Sequence, residues 1–323
     1  MRELDMTYTQ YINFQIKSQF ENYHHSVFYG QNIVAGSRIS GLGAGLENVT
    51  GASAINTTNS ENSLMGMGFG LSLSGIPALF LMKQHDFALL GLDQLVNTNN
   101  VLRQGRLKSP FLVVMVVVDS GFEGPQATLS SLDEFASLTK APVNFLSTKE
   151  TIDEAFKQAL KPGLHFLAVG QTNMKKKVLE SVTPTTNYPG VILYEDETTE
   201  NFERSIALVF YGVDVAIGLS SQNSLQSHGI RTDLFVVCEL SKGTISSNFM
   251  DKLNDYSEIA VIDTGKSEIH YSTELAFALC KQNQNVRTFH RTPISSWSEV
   301  SDDSPEFSTM DIVNSFLLGD VNE

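Results

Sequence analysis

Tyr8, Ile12, Ile16 and Phe20 recur every fourth residue after Thr7, so the chain opens on an amphipathic helix with Thr7 as N-cap, ending near Asn22. Residues 27–30 read as a strand, and the Gly-, Asn-, Ser- and Thr-rich stretch from there to Ser60 as a long loop, a place where function often sits. A Gly-rich apolar segment follows from Glu61 to Gly75, then a predicted strand at 76–82 and a predicted helix at 87–97. The run FLVVMVVV at 111–118 is far shorter than the roughly 20 residues of a membrane helix. Its β-branched content marks a strand buried on both faces of a parallel sheet. Leu132, Phe135 and Leu138, three apart, predict a helix; 143–146, 152–160 and 164–169 continue as strand, helix and strand. This alternation predicts βαβ units, hence an α/β domain around a mostly parallel sheet.

The stretch SVTPTTNYPG at 181–190, with ETTENFER soon after, places an interdomain connection at 180–205. The expected division is 1–190 and 191–323, with the boundary anywhere in 180–205. Beyond it, 213–219, 231–240 and 259–263 read as strands and 220–227 and 273–282 as helices, a second and smaller α/β domain.

Composition narrows the function classes. The 323 residues are 41% hydrophobic and 18% charged, which is globular rather than disordered. With 22 Lys and Arg against 36 Asp and Glu, the net charge of −14 repels a phosphate backbone and an anionic membrane surface alike, so neither nucleic acid nor membrane is an expected partner. Cys238 and Cys280 have no second thiol or histidine at metal-clip spacing, which suits a reducing cytoplasm and argues against a disulfide framework or zinc site. The opening MRELDMTYTQY lacks the apolar core of a secretory signal, and the expected location is the cytoplasm. The seven histidines show no HxxxH or HExxH spacing, and no GxSxG is present, so metal catalysis and acyl-enzyme hydrolysis have no prompt. GLGAGLE at 41–47 lies in a polar loop, not between a strand and a helix, and reads as a flexible glycine loop instead of a dinucleotide fingerprint. Lys175 to Lys177 read as a solvated face.

One block concentrates chemistry: ENSLMGMGFGLSLSGIPALFLMKQHDFALLGLDQLVN, residues 61–97. A single carboxylate, Glu61, precedes Gly66, Gly70 and Gly75; a Gly-x-Pro, Phe87, Asp93-Gln94 and Asn97 follow. Gly66 and Gly70 are one helical turn apart, so that face lacks side chains and lets another helix or a flat ligand approach the backbone. A carboxylate in the first turn of a helix is also favoured by the dipole alone. Spacing by itself leaves both readings of Glu61 open.

This block resembles the cofactor-pyrimidine domain of thiamine diphosphate enzymes, specifically the β subunit of the E1 component of 2-oxoacid dehydrogenases, with transketolase as a more distant relative. The resemblance extends to the opening MTYTQYIN, to Val27-Phe-Tyr-Gly-Gln, to GPQATLSSLDEF at 124–135, and to a transketolase-type C-terminal domain from about Gly212-Val-Asp-Val. It implies an α/β fold of a pyrimidine-type domain followed by that smaller C-terminal domain. Glu61 matches the family's glutamate at N1′ of the aminopyrimidine, where a shared proton favours the 4′-imino tautomer whose nitrogen removes the C2 proton. Phe87 matches the aromatic that packs on the pyrimidine, with a plain core Phe as the alternative. Asp93 and Gln94 match a pair read as structural and interfacial.

Two departures from the family's pattern shape the expectation. The loop after the long central strand carries Gly124-Pro-Gln-Ala-Thr where the family has a histidine, leaving His85 or Gln126 as candidate replacements. No Gly-Asp-Gly followed by Asn occurs, so this chain is not expected to ligate Mg²⁺ itself. The resemblance therefore implies an α-like subunit that supplies the diphosphate and Mg²⁺ site, in an α2β2 assembly. The implied function is the β-like half of an enzyme that cleaves a C–C bond next to a carbonyl of a small keto substrate, by 2-oxo acid decarboxylation or ketol cleavage. It then transfers the acyl or ketol unit to an acceptor. The missing histidine tilts this towards a carboligase or transketolase-like enzyme. The alternative is a catalytically degenerate scaffold or regulatory subunit that keeps fold and partner surface.

Overall fold

A computed structural model describes residues 6–103, 105–120, 132–179, 184–196, 204–241, 245–266, 269–291 and 307–318. These gather into two compact units, one made of the residues up to 120 together with 132–179, the other of 184–318.

In the first unit, α1 (Tyr8–Phe20) begins at Thr7, whose hydroxyl accepts from the Gln10 N–H at 3.3 Å while the Gln10 side chain accepts from the Thr7 N–H at 2.9 Å. Such a reciprocal cap satisfies two N–H groups that the helix leaves unpaired. Strands β1 (Ser26–Gly30), β2 (Ala52–Asn56), β3 (Ala78–Met82), β4 (Pro110–Val117), β5 (Val143–Leu146) and β6 (Gly163–Gly170) pair in the order β5-β6-β4-β3-β1-β2, every pair parallel. Helices α2 (Glu61–Leu73), α3 (Asn99–Leu102), α4 (Leu132–Thr139) and α5 (Lys149–Ala159) complete it. Alternate side chains of β4 feed two cores. Leu112, Val114 and Val116 join Ile12, Ile16 and Phe20 of α1 and Ile152 and Phe156 of α5, whereas Phe111 meets Phe69 of α2 edge-on at 5.2 Å.

In the second unit, β7 (Pro184–Tyr188), β8 (Val191–Tyr194), β9 (Ser205–Tyr211) and β10 (Arg231–Val237) are followed by the short β11 (Glu239–Leu240), then β12 (Glu258–Asp263) and β13 (Val286–His290). Its sheet order is β13-β12-β9-β10-β8-β7, with β8 antiparallel to β7 and β10 and the remaining pairs parallel. Helices α6 (Ala216–Ser227), α7 (Ser247–Leu253), α8 (Ser272–Lys281) and α9 (Thr309–Leu317) accompany it. Arg204 anchors α9 by donating to the Phe316 carbonyl at 2.7 Å while pairing with Glu258. Both units are thus α/β, as expected. Among the described residues no helix is long and apolar enough to cross a membrane.

Four local expectations are corrected. The long loop before Ser60 contains an edge strand, β2, in which only the small Ala52 and Ala54 pack against the core while Ser53, Ile55 and Asn56 are exposed, so no apolar strand pattern marks it. GLGAGLE is a packed turn rather than a flexible loop: Leu42 and Leu46 are buried, and Asn13 of α1 donates to the carbonyls of Leu42 and Ala44 at 2.7 and 3.1 Å. The helix predicted at 87–97 is a 3-10 turn (His85–Gly91) and a π turn (Gln94–Thr98) leading into α3. The strand predicted at 213–219 lies earlier, as β9; after it Asp214 accepts from the Ala216 N–H at 3.2 Å in a tight turn, and the following apolar residues are the start of α6.

His165, in β6, is buried with its Nε2 3.1 Å from the Lys161 carbonyl. Burial pushes it down from 6.5 to about 4. The unfolded chain takes up this proton first, so its contribution is complete above pH 6.5 and is lost as pH falls towards 4. A shift of this size corresponds to about 3 kcal/mol. Urea midpoints measured from pH 7 to pH 4 are expected to fall less steeply in His165→Gln than in the wild type; parallel curves would refute the assignment.

Candidate functional site

A parallel sheet sends all its loops from strand to helix out at one edge. Here that edge carries Gln31 after β1, Glu61 after β2, His85 to Phe87 after β3, Asp119 after β4 and Thr172 after β6. The chain steps from β1 outward to β2 and then crosses back over β1 to β3, so its winding direction reverses beside β1. Ligands of open α/β sheets bind at such a reversal, outside the carboxyl ends of the strands. Glu61, Gln31 and the 85–91 turn all belong to the strands and connections that flank it.

Gly30 makes the edge narrow at this point. Its φ is +150°, and a Cβ there would overlap the Leu81 carbonyl oxygen of β3, so only glycine fits. Past it the turn is pinned to β2: Thr57 N–H donates to the Gly30 carbonyl at 3.0 Å, and Ile33 and Val34 N–H donate to Asn56 Oδ1 at 2.8 and 3.0 Å.

Glu61 is the first residue of α2 and only 7% exposed. Gln31 Nε2 donates to its Oε1 at 3.3 Å, and among the described residues no other group bonds this carboxylate. A buried carboxylate with one amide donor retains acceptor capacity at its second oxygen. The 85–91 turn crosses the first turn of α2 at Gly91, where a Cβ would come within 2.7 Å of Met65 Cγ and 3.3 Å of the Glu61 carbonyl oxygen. This crossing brings the segment that carries His85 and Phe87 onto the helix that carries Glu61.

The other candidates stand differently. Phe87 is half-buried and pairs with no other aromatic ring among the described residues. His85 is fully buried with Nδ1 4.0 Å from Asp86 Oδ1, and burial pushes the Asp86 carboxyl above its ordinary value. Gln126 and the rest of 121–131 lie outside the described residues. Asp93 and Gln94 bond along their own segment, to Asn97 at 2.6 Å and Thr98 at 2.7 Å. The close approach to α2 expected at Gly66 and Gly70 is instead at Gly68, where a Cβ would overlap the Phe111 ring; Gly66 meets only Gln94 at ordinary contact distance and Gly70 faces open space. Residue 31 is the member that sequence reasoning left without a role, and its signal was a polar side chain directly after the glycine that ends a strand.

No group of three or more His, Cys, Asp or Glu able to hold a metal occurs among the described residues. The second unit has its own cavity of about 220 Å³ beside β12, β13 and α8, where the His270 and His290 rings lie 5.5 Å apart; none of the predicted site residues lines it.

No protein-family model and no curated protein sequence matches the chain. Solved structures do. A split-gene transketolase, described as an inactive β4 tetramer, aligns over 97% of both chains with a TM-score of 0.66 at 12% identity. Transketolase from Campylobacter jejuni aligns over 97% of this chain and 46% of its own length, with a TM-score of 0.69 at 14% identity. The 2-oxoglutarate:ferredoxin oxidoreductase of Magnetococcus marinus, solved with 2-oxoglutarate, coenzyme A and succinyl-CoA, aligns over 97% of this chain and 64% of its own, with a TM-score of 0.63 at 10% identity. The chain has the fold of these proteins, and it spans about half the length of the C. jejuni transketolase.

Proposed function

We propose that this chain is the β-like subunit of a heteromeric thiamine diphosphate enzyme that cleaves a C–C bond next to a carbonyl and transfers the acyl or ketol unit to an acceptor. The observation that carries this reading is the buried carboxylate of Glu61 at the winding reversal of a transketolase-like fold, with Gln31 on one oxygen alone. Bound thiamine diphosphate supplies the carbanion chemistry that ordinary side chains lack. With that cofactor bound, Glu61 would hold a proton at the pyrimidine N1′ and the half-buried ring of Phe87 would pack on the pyrimidine, while the open flank of α2 at Gly70 leaves the helix approachable.

The residues present suit the pyrimidine half of the cofactor, and among the described residues no group of His, Cys, Asp or Glu is gathered to hold a cation for its diphosphate. We therefore assign the Mg²⁺ ligands to an α-like partner in an α2β2 assembly. A lone chain lacking that partner is then expected to be inactive, which is how the split-gene transketolase tetramer is described. His85 has no exposed surface and is left out of the chemistry; Gln126 is assigned to hold the substrate by hydrogen bonds without proton transfer, and the carbonyl-side proton to the partner.

Calorimetry of thiamine diphosphate with Mg²⁺ tests this, on the chain alone and on the chain with whatever co-purifies from its native cell. Binding is expected only in the second preparation. If neither binds, the enzyme reading fails and the scaffold reading replaces it.

A further inference from the structure

We propose that Gln31 is the positioning residue of the Glu61 carboxyl, setting which of its two oxygens faces the ligand. The inference rests on the cofactor reading above and deepens it. Gln31 follows Gly30, where β1 leaves the sheet in a conformation and at a separation open only to glycine. The next residues cannot swing, because the backbone on both sides is bonded to the end of β2 through Asn56 and Thr57. The side chain is half-buried and reaches across 30 positions of sequence to donate to Glu61 Oε1 at 3.3 Å. With Oε1 occupied and nothing else on the carboxylate among the described residues, Oε2 is the oxygen left for a ring nitrogen.

The amide is chemically suited to this. It donates without adding charge, so it orients the carboxyl, whereas a second carboxyl there would set two like charges against each other. Among the described residues, the other titratable groups on elements packed against α2 are Tyr29 on β1, His85 and Asp86 on the 85–91 turn, and Asp93 beside the π turn. Tyr29 is committed to the Leu64 carbonyl at 2.9 Å, and its hydroxyl is held well above its ordinary value by burial. Asp86 lies beside His85, with Oδ1 4.0 Å from Nδ1 and no hydrogen bond between those atoms, and Asp93 accepts from Asn97 at 2.6 Å. Gln31 is the group that acts on the Glu61 carboxylate directly.

The test uses the chain assembled with its partner, loaded with thiamine diphosphate and Mg²⁺, and reads hydrogen–deuterium exchange at cofactor C2 against pH, without substrate. Calorimetry and circular dichroism on the same samples check binding and folding. Gln31→Leu, which keeps bulk and removes the donor, is expected to slow exchange about ten-fold with the cofactor still bound, the size of one lost neutral hydrogen bond. Gln31→Glu is expected to move the pH limb of exchange upward by about one unit, a change that loss of packing alone would not produce. If both variants bind, fold and exchange as the wild type does while Glu61→Gln stops exchange, the Gln31 inference is overturned and the cofactor reading stands. If Glu61→Gln exchanges normally, or no preparation binds the cofactor, the reading itself falls and takes the inference with it.

Discussion

Glu61→Gln is expected to lower turnover of the assembled enzyme at least about a hundred-fold, the range for loss of a proton-transfer group, with cofactor affinity reduced far less. The amide has nearly the shape of the carboxyl and its oxygen still accepts from Gln31, so the side chain stays in place. What disappears is the capacity to hold a proton on a ring nitrogen and take it back. The stability cost is small: the charge at the first residue of α2 is worth about 0.3–1 kcal/mol through the helix dipole. A loss of activity cannot then be ascribed to unfolding, and partner assembly should match the wild type on a sizing column. Unchanged turnover would remove Glu61 from the chemistry and favour a subunit that serves through its partner surface.

How far this site was readable follows from the separation of its parts. Glu61 was visible because its signal is local, one carboxylate directly before a Gly-punctuated apolar helix. Phe87 and His85 were visible for the same reason, but their difference was not. Both stand in one turn, and only the crossing of that turn over α2 at Gly91 decides which is half-buried and which is sealed. Gln31 depends on two connections meeting across the sheet edge, and no periodicity records that.

The fold divides in the same way. Elements whose burial is regular came through in the pattern: α1 with its Thr7 cap, and β4, buried along its whole length. Those whose form answers to a neighbour did not. β2 is held by pairing with β1 while its own side chains remain largely exposed. The 85–98 stretch has a helix's apolar content, yet it winds into 3-10 and π turns around its contact with α2. Leu138, third in a predicted helical stripe, is 47% exposed, because α4 turns Phe135 and Thr139 inward instead.

The glycines of α2 separate the two kinds of information most sharply, and they give the second large effect. Gly68→Ala places a methyl into the Phe111 ring and 2.6 Å from the Tyr29 hydroxyl oxygen. Neither neighbour has room to yield. Phe111 is fully buried with Phe69 edge-on at 5.2 Å, and Tyr29 is stacked on Phe80 at 5.0 Å with its hydroxyl on the Leu64 carbonyl. Overpacking costs about 1–3 kcal/mol, and a buried hydroxyl pulled off its acceptor about 1–3 kcal/mol more. The intrinsic helix preference of alanine returns about 1 kcal/mol, so the net loss is expected at about 1–5 kcal/mol. Because α2 must lift to relieve the clash, Glu61 moves with it, and cofactor affinity should drop even where the variant stays folded. Gly70→Ala meets nothing within 4 Å and keeps only the helix gain, up to about 1 kcal/mol. Denaturant midpoints of the two variants should therefore move in opposite directions from the wild type. If Gly70→Ala were the one that destabilised the chain, the close approach to α2 would belong to the Gly66 and Gly70 flank after all, and the seat assigned to Glu61 would have to be rebuilt around it.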